Sequence, residues 1–512
     1  MKRLWQQARK RPGGAKLLVL MLAALMLFAA ACGGGTAGGA TTTAAAQAAA
    51  TTAAAAADTT TTAAAPPADE PVTISVRGKP KENDTATLAL IETRTADMKA
   101  RHPNVTLEYI DWSYDVNTFL PKAASGQLPT LYNTYFTEAN KIISQGFSLD
   151  ITDAVKEWGY DTALNPSMLE LISKDGRIYG LPSAGYALGM GYNVELFKQA
   201  GLLNEDGTPI LPTTTDELTQ TAIKIKEATG QAGFFFPTMN NQGGWFFTQL
   251  AWVFGAEFEE QDADGKYKAV FNSPEAVEAL QWLKDMQWVH GVMQPNVMVT
   301  FEEITKLFAV DQCGTSIYEL GQVNTSIVNY TANKDHFAMG PIVKGSNAKG
   351  RQTALLGGTF ECIAPNATPA QVQAVLQFLE VEGYSPKLEE AVLAAKEEQW
   401  KVDAENNKMV GPQGIRVWVD KARMDAEDER IAKYTNVDMK LFTPFTDSLN
   451  DGSYPLHPEH PVYCQELYKA LDSCVQAVLT DKNADPQALM DTAVADFQRD
   501  YLDKFNAGEE AN

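Results

Sequence analysis

The sequence predicts an α/β protein, and three observations support this. Two short segments alternate apolar and polar residues, as strands with one buried face do; their apolar positions are Val72, Ile74 and Val76, and then Val105, Leu107 and Tyr109. A helical stretch at about 84–100 separates them, and this order predicts a parallel pair with a right-handed crossover. Helix-start signals then recur along the chain; they are a capping-box pattern at Thr214 and Glu217, and a proline after each of Ser273, Thr368 and Asp485.

The first residues have the pattern of a cleaved secretory signal. Basic residues without acidic ones precede an apolar run at 17–31, which is shorter than the roughly 20 residues of a membrane-spanning helix. The sequence Ala-Ala-Ala-Cys-Gly at 29–33 resembles a lipobox, with Ala29 where leucine is usual. We therefore expect 1–31 to be a signal peptide with a lipobox and Cys32 to be the lipidation site, held by more than one acyl chain. The alternative is an ordinary cleavage site with Cys32 left as a thiol.

A low-complexity segment follows, and the rest of the chain is acidic. Residues 32–69 are rich in alanine, threonine and glycine with almost no charge, which predicts a disordered tether. The formal charge of the whole chain is −22 at pH 7, and removal of the basic signal makes the mature chain more acidic. This charge argues against a nucleic-acid partner, whose phosphates need a basic surface.

The cysteines leave two alternatives open. Cys464 and Cys474 fall in one predicted helix at 463–479, where ten residues span about 15 Å, too far for a disulfide. Cys313 and Cys362 could form a disulfide, or all four could be buried thiols.

Four segments carry a resemblance to a known family, in a shared order and spacing. They are Gly180-Leu-Pro182 leading into 188–202 (LGMGYNVELFKQAGL), Pro212–Leu218 (PTTTDEL), Phe271–Ala276 (FNSPEA) and Leu355–Gly358 (LLGG). These resemble the family-one extracellular solute-binding proteins of ABC importers, the group that includes maltose-binding protein. Thr130, where the family has aspartate, and 311–315 depart from the family pattern and leave the ligand open.

The resemblance implies a two-lobe, type II periplasmic-binding-protein fold, each lobe a mainly parallel sheet flanked by helices. The lobes it implies, in chain order, are 70–182 for the first part of lobe 1, 183–355 for lobe 2, 356–415 for the return to lobe 1, and 416–512 for a mostly helical region completing lobe 2. Residues 397–433 look like an insertion without an assigned role. The implied partners are a small solute, ABC permease subunits and the membrane through the lipid anchor. We expect a monomer without cofactor or metal on the outer face of the cytoplasmic membrane.

Sugar binding would use aromatic faces and short polar groups at the edges of the cleft. By similarity, the candidates that face the cleft are Arg77, Lys79, Tyr132, Asn133, Tyr135, Tyr186, Asn241, Trp245, Tyr318, Glu319, Gln322, Gly357, Gly358, Thr359 and Trp418. For Tyr132 and Tyr135 the alternative is that they cover a lobe edge. The tryptophans on helical patterns are expected in the core; they are Trp252, Trp282 and Trp288.

Other functions and ligands are alternatives to sugar binding. A glycan hydrolase would need two carboxylates across one bond, and no G-x-S-x-G, H-E-x-x-H or P-loop pattern is present; we expect no enzyme. His457, His460 and Cys464 could bind a metal, although an exposed turn is expected there, and a hairpin turn explains 262–265. The predicted ligand is a sugar or short oligosaccharide; a peptide, polyol or glycerophosphodiester is the alternative, because Arg77 and Lys79 would suit an anion.

Overall fold

The computed structural model describes residues 70–79, 85–115 and 118–509, with the backbone alone for 85–87. The predicted signal peptide, Cys32 and the whole of the tether at 32–69 lie outside the described residues. Among the helices that are described, none is long and apolar enough to cross a bilayer.

The first half of the chain builds one sheet with its helices. Its elements are β1 Val72–Arg77, α1 Thr85–Arg101, β2 Val105–Ile110, α2 Phe119–Ala124, β3 Leu131–Tyr135, α3 Ala139–Ser144, α4 Thr152–Trp158, α5 Tyr160–Ala163, α6 Pro166–Leu171, β4 Ser173–Lys174, β5 Arg177–Ile178 and β6 Leu181–Ala187. The strands β1 and β2 pair in parallel with Val72 opposite Val105. This confirms the predicted strand–helix–strand unit. A 3-10 turn at Phe136–Glu138 connects β3 to α3.

The middle of the chain builds a second sheet. Its elements are β7 Gly189–Asn193, α7 Val194–Gln199, α8 Thr215–Thr229, β8 Ala232–Phe235, α9 Gln242–Val253, β9 Glu259–Gln261, β10 Tyr267–Ala269, α10 Pro274–Trp288, α11 Phe301–Ala309, β11 Cys313–Tyr318, α12 Leu320–Tyr330 and β12 Phe337–Gly340. The order of the sheet is β12-β7-β11-β8, and β11 is parallel to β8. The hairpin β9–β10 turns at 262–265, as expected.

The rest of the chain returns to both sheets. Its elements are β13 Ala354–Ile363, α13 Pro369–Val381, α14 Glu390–Glu405, α15 Lys421–Ile431, α16 Thr443–Asn450, β14 Leu456–Pro458, α17 Cys464–Thr480, α18 Pro486–Phe497, a π-helical turn Gln498–Leu502 and α19 Asp503–Ala507. The long strand β13 lies between β14 and β3 in the order β14-β13-β3-β1-β2 and also pairs with β6. It therefore completes the first sheet.

Two separate hydrophobic cores define two lobes. One core surrounds the first sheet and includes Ile74, Phe360 and Leu376. The other surrounds the second sheet and includes Trp252 and Leu471. The predicted α/β fold with two lobes is therefore confirmed.

The boundary expected at residue 416 falls inside the first lobe. Met409 packs into the second core, but Trp418 packs into the first. Arg423 on α15 is 1% exposed and lies over the Trp418 ring, 3.9 Å from its centroid. After α15 the chain packs against the second core again at Val437, and Leu441 and Phe442 are buried in it. The region 397–433 thus contains the end of α14, a segment at 409–418 that contacts both lobes, and α15.

Local start signals gave most helix starts correctly. Thr368 forms a complete capping box with Gln371, and Ser273 and Asp485 each cap the helix that begins with the next proline. At α8 only one of the two bonds of the predicted capping box forms. Thr214 accepts a bond from the Glu217 amide, but the Glu217 carboxylate binds the amide of Thr213 instead of that of Thr214.

The four cysteines between residues 118 and 509 are free, buried thiols. Of the two alternatives, the structure therefore has the buried thiols. His460 is also buried, 6% exposed, and not in an exposed turn. His457 stacks on Trp252 with ring centroids 3.9 Å apart. Of the described residues, no group of three or more histidine, cysteine or acidic side chains is arranged to hold a metal ion.

Candidate functional site

An aromatic contact lies where the two lobes meet. Tyr186 is on β6, directly opposite Gly357 of β13 in the first sheet. Its ring packs against Trp245 of the second lobe, with centroids 6.0 Å apart and planes at 85°. The ring occupies the space above Gly357, because a Cβ at that position would lie 2.3 Å from Tyr186 Cζ. The glycine is therefore what lets the tyrosine lie flat on the strand.

Trp245 is placed by an unusual turn before α9. Asn240 and Asn241 both have left-handed backbone angles, with φ of 60° and 64°, which asparagine tolerates better than most residues. The indole then packs at an angle against Phe301, centroids 6.1 Å apart. Its Nε1 is buried and has no hydrogen-bond partner among the residues described here. This leaves one donor for a group that enters the gap.

Two carboxylates stand near the Tyr186 hydroxyl. Glu319 caps α12 by accepting a bond of 3.0 Å from the Gly321 amide, and burial raises its pKa. Glu459 accepts a bond of 2.6 Å from the Tyr468 hydroxyl, and burial raises its pKa to about 7. Burial first, and then the charges of Glu459 and Glu319, raise the pKa of Tyr186 well above its ordinary value. These carboxylates can accept hydrogen bonds from hydroxyl groups.

A cavity of about 350 Å³ lies between the lobes. Both lobes line it; the residues are Thr137, Glu138, Asn140, Lys141, Ser144 and Gln145 from the first, and Pro461, Val462, Tyr463, Phe505, Gly508 and Glu509 from the second. Glu138 forms an ion pair of 2.6 Å with Lys141 and accepts a bond from the Tyr114 hydroxyl. The buried Gln145 Oε1 has no partner within the described ranges. The cavity therefore offers aromatic, acceptor and charged walls to one molecule.

The cavity and the aromatic contact are connected. Gln465 Nε2 donates to Thr137 Oγ1 over 3.4 Å, and Asn241 Nδ2 donates to the Gln465 carbonyl over 3.1 Å. Tyr135, 46% exposed, packs edge-on against Tyr114, which binds Glu138. We treat the aromatic contact, the two carboxylates and the cavity as one candidate site, and we call it the interlobe site.

Several predicted site residues lie elsewhere. Tyr132 and Tyr318 are fully buried in the cores of the first and second lobes, with hydroxyls bonded to Phe147 O and Ser326 Oγ. Trp418 is in the first core against Tyr160 and Tyr384. These placements give the three side chains packing roles, and we leave them out of the interlobe site.

Arg77 also has its own partners. Its guanidinium makes three bonds to Glu361, Nη2–Oε1 and Nε–Oε2 at 2.8 Å and Nε–Oε1 at 3.0 Å, and one of 3.1 Å to Glu382. Lys79 is exposed just beyond β1. The ion pair therefore uses the charge that would have suited an anionic ligand at Arg77.

The remaining predicted residues have contacts of their own outside the interlobe site. Asn133 accepts a bond from Trp112 through its carbonyl, and Thr359 Oγ1 lies 3.0 Å from Ser183 Oγ. Gln322 contacts Thr305. At Gly358 a Cβ would lie 2.2 Å from Ala184 O, so the two strands approach closely there.

The three helical tryptophans divide. Trp252 is fully buried, and Trp282 donates to Thr219 Oγ1. Trp288, by contrast, is 42% exposed, although its indole donates to Val478 O. The expectation of core positions is thus met by Trp252 and, at the margin of the second core, by the partly buried Trp282. It is wrong for Trp288.

Sequence reasoning missed Glu459, Glu138 and Gln465. Glu459 follows a short strand, and Gln465 lies in the first turn of α17. Neither carries a local signal, because only the folded chain brings 459–466 against 137–145.

Comparisons with known proteins agree with the two-lobe fold. Residues 78–384 match the family described as bacterial extracellular solute-binding protein. Proteins of Brucella abortus (strain 2308) and Brucella suis biovar 1 (strain 1330), each named as a binding protein, are 28% identical over 230 residues, 43% of this chain and 51% of theirs. The chain thus matches about half the length of these curated relatives.

Solved structures with the same fold come from several bacteria. A solute-binding protein from Thermotoga lettingae TMO bound with α-D-tagatose has a TM-score of 0.62 at 17% identity, covering 84% of this chain and 99% of that one. Maltose-bound MalE3 of T. maritima gives 0.60 at 17%, covering 83% and 99%. UgpB of Mycobacterium tuberculosis with glycerophosphocholine gives 0.60 at 14%, covering 84% and 98%. At these identities the likeness establishes the fold alone.

Proposed function

Because the chain belongs to the bacterial extracellular solute-binding proteins, we propose that it captures a sugar or short oligosaccharide between its lobes and delivers it to an ABC permease. The observation that carries this proposal is the contact of Tyr186, on β6 of the first sheet, with Trp245 on α9 of the second lobe. Aromatic faces suit the apolar C–H faces of sugar rings, and the neighbouring carboxylates suit their hydroxyls.

The charges around the interlobe site favour a neutral ligand over an anionic one. The charges of Glu459 and Glu319 raise the pKa of Tyr186 further beyond the effect of burial, and Lys141 is already paired with Glu138. Arg77 is held by two glutamates. A phosphodiester would meet mainly acidic groups here, so we rank glycerophosphodiesters below sugars, although UgpB of M. tuberculosis is described with one.

Closure of the lobes would couple binding to transport. A ligand shifts the population toward a closed form only by its greater affinity for that form, and hinge closure is a recognised motion of binding proteins. The lining of the cavity by both lobes supports such a preference, because a molecule there gains contacts from both only when the lobes are together. We propose that the protein binds its ligand without turnover.

The lipid anchor is a separate proposal that rests on the sequence at 29–33. We propose that Cys32 is acylated and that 32–69 tether a monomeric body to the outer face of the membrane. Mass spectrometry of the mature amino-terminal peptide tests this. A free cysteine amino terminus, or a Cys32→Ser variant that stays in the membrane fraction, would contradict it.

A melting screen tests the ligand class. A ligand that binds only the native state raises stability by RT ln(1 + [L]/Kd), about 2.7 kcal/mol at a hundred times Kd. The panel contains mono- and oligosaccharides, ribitol, peptides and glycerophosphocholine. We expect a rise in Tm with at least one carbohydrate. A clear rise with a peptide or glycerophosphocholine, and none with any sugar, would overturn the proposal.

The site itself is tested by a matched pair of tryptophan variants. Trp245→Ala should weaken binding of the carbohydrate found in the screen by about tenfold or more, with the fold retained. Trp288→Ala, at an exposed position outside the interlobe site, is the control and should leave the affinity unchanged. Equal affinities for the two variants would remove Trp245 from the site.

A further inference from the structure

A buried aspartate on α17 holds the turn that carries Trp245. Asp472 is 7% exposed. Its Oδ2 accepts a bond of 2.7 Å from the Asn241 amide, and its Oδ1 accepts a bond of 2.7 Å from the Gly244 amide. One carboxylate from the end of the chain thus binds both sides of a turn more than two hundred residues earlier.

These amides would otherwise lack acceptors. Asn241 is the cap residue of α9, but its side chain makes no capping bond and instead binds Gln465. The first amides of a helix have no partner within the helix, and a negative charge is favoured there. Asp472 therefore does from another helix what a cap side chain does locally.

The packing between α9 and α17 is close enough to require this arrangement. A Cβ on Gly244 would lie 2.0 Å from the Tyr468 carbonyl oxygen, and one on Gly243 would lie 2.7 Å from Asp472 Oδ1. The two glycines let the first turn of α9 lie directly on α17. Trp245 is the next residue after Gly244, so the contact between α9 and α17 sets the direction in which the Trp245 side chain points.

We propose that Asp472 is a positioning residue of the interlobe site, which fixes the first turn of α9 and thereby aims Trp245 at Tyr186. The effect of Asp472 on ligand binding rests on the proposed function. The two bonds from the Asn241 and Gly244 amides to Asp472, which we call the clamp, do not depend on any ligand. Only an ionised carboxylate offers two acceptors and no donor here. In Asp472→Asn the amide nitrogen would face a backbone N–H, and one of the two bonds would be lost.

Hydrogen exchange of the ligand-free protein tests the clamp. In Asp472→Asn at least one of the two amides, of Asn241 or of Gly244, should exchange about tenfold faster or more, since its hydrogen bond to a charged group is lost. Asp481→Asn, an exposed position at the end of the same helix, is the matched control and should leave both rates unchanged. Unchanged exchange in Asp472→Asn would overturn the proposal.

The effect on Trp245 is read separately. The fluorescence emission of Trp245 is obtained by subtracting the spectrum of a Trp245→Phe variant from the spectrum of the same protein with Trp245 present. This difference spectrum is measured in the unaltered chain and again in the Asp472→Asn background. A shift of this difference spectrum to longer wavelength is expected in the variant. A merely structural role would lower Tm without moving the spectrum, and that result would refute positioning.

A double-mutant cycle then connects the clamp to binding. Asp472→Asn should weaken binding of the carbohydrate from the melting screen, and should have no further effect once Trp245 is replaced by alanine. Equal losses in both backgrounds would show that Asp472 does not act through Trp245. If no carbohydrate binds at all, the proposed function fails, while exchange and emission still decide on the clamp.

Discussion

The ion pair of Arg77 distinguishes a structural role from a ligand-binding one. The residue was a candidate for holding an anion, but its guanidinium bonds to Glu361 and Glu382 at 2.8–3.1 Å. The Glu361 side chain is 4% exposed, so removal of Arg77 leaves it charged and unpaired. Breaking a buried pair on one side costs about 3–5 kcal/mol. We expect Arg77→Met to lower the free energy of unfolding of the first lobe by this amount.

The loss should depend on pH in a defined direction. Burial raises the pKa of Glu361, and Arg77 opposes that rise. Without Arg77 the carboxyl takes up a proton more readily, so the deficit of Arg77→Met should be smaller at pH 5 than at pH 8. Urea denaturation followed by circular dichroism at both pH values measures this.

Two further variants complete the experiment. Arg499→Met removes an arginine whose pairs with Asp496 and Asp500 are exposed, and it should change stability little. Arg77→Met combined with Glu361→Leu removes both charges and should recover much of the loss. An Arg77→Met protein of unchanged stability that no longer binds carbohydrate would refute the reasoning and return Arg77 to the ligand site.

Two other predictions concern the interlobe site. Gly357→Ala puts a Cβ 2.3 Å from Tyr186 Cζ, so the ring must move by more than about 1 Å. Calorimetric titration should therefore find the carbohydrate affinity reduced about tenfold. The control Gly414→Ala, whose Cβ would lie 3.8 Å from its nearest neighbour, should bind the carbohydrate normally. Burial raises the pKa of Glu459 to about 7, so the stability it contributes is present below the ordinary glutamate pKa and is lost as pH rises through 7. Denaturation from pH 5 to 8 should show a fall of about 2 kcal/mol that Glu459→Gln removes and the exposed Glu205→Gln does not; identical profiles for both variants would contradict this.

The parts of the fold that could be predicted are those with local causes. Proline after a capping residue fixes where α10, α13 and α18 begin, since both signals act within one turn. Alternation likewise fixed β1 and β2, because side chains in a strand point to opposite faces.

Tyr132 and Tyr318 lie in strands whose burial the sequence pattern did not give. Every residue of β11 is buried, and β3 is buried except at Asn133 and Tyr135, so an aromatic residue in either strand is placed in a core by packing on both faces of the sheet. The family resemblance indicated which strands lie near the cleft, but not which side chains of those strands are exposed to it. The burial of Trp418 has another cause, since its neighbours Arg423 on α15 and Tyr384 after α13 reach it only in the folded chain.

Glu459 and Asp472 were beyond local reasoning. Asp472 lies in the middle of an amphipathic helix among apolar neighbours, and its partners are the amides of α9. The role of this carboxylate can be inferred only once the packing of α17 against α9 is known.

The central claim is that a carbohydrate is held between the lobes at the interlobe site. The most direct measurement is hydrogen exchange of the purified protein with and without the carbohydrate that raises its Tm. We predict slower exchange in four segments, 135–141, 184–188, 241–246 and 459–466, with little change elsewhere. Protection confined to other segments, with these four unchanged, would contradict it.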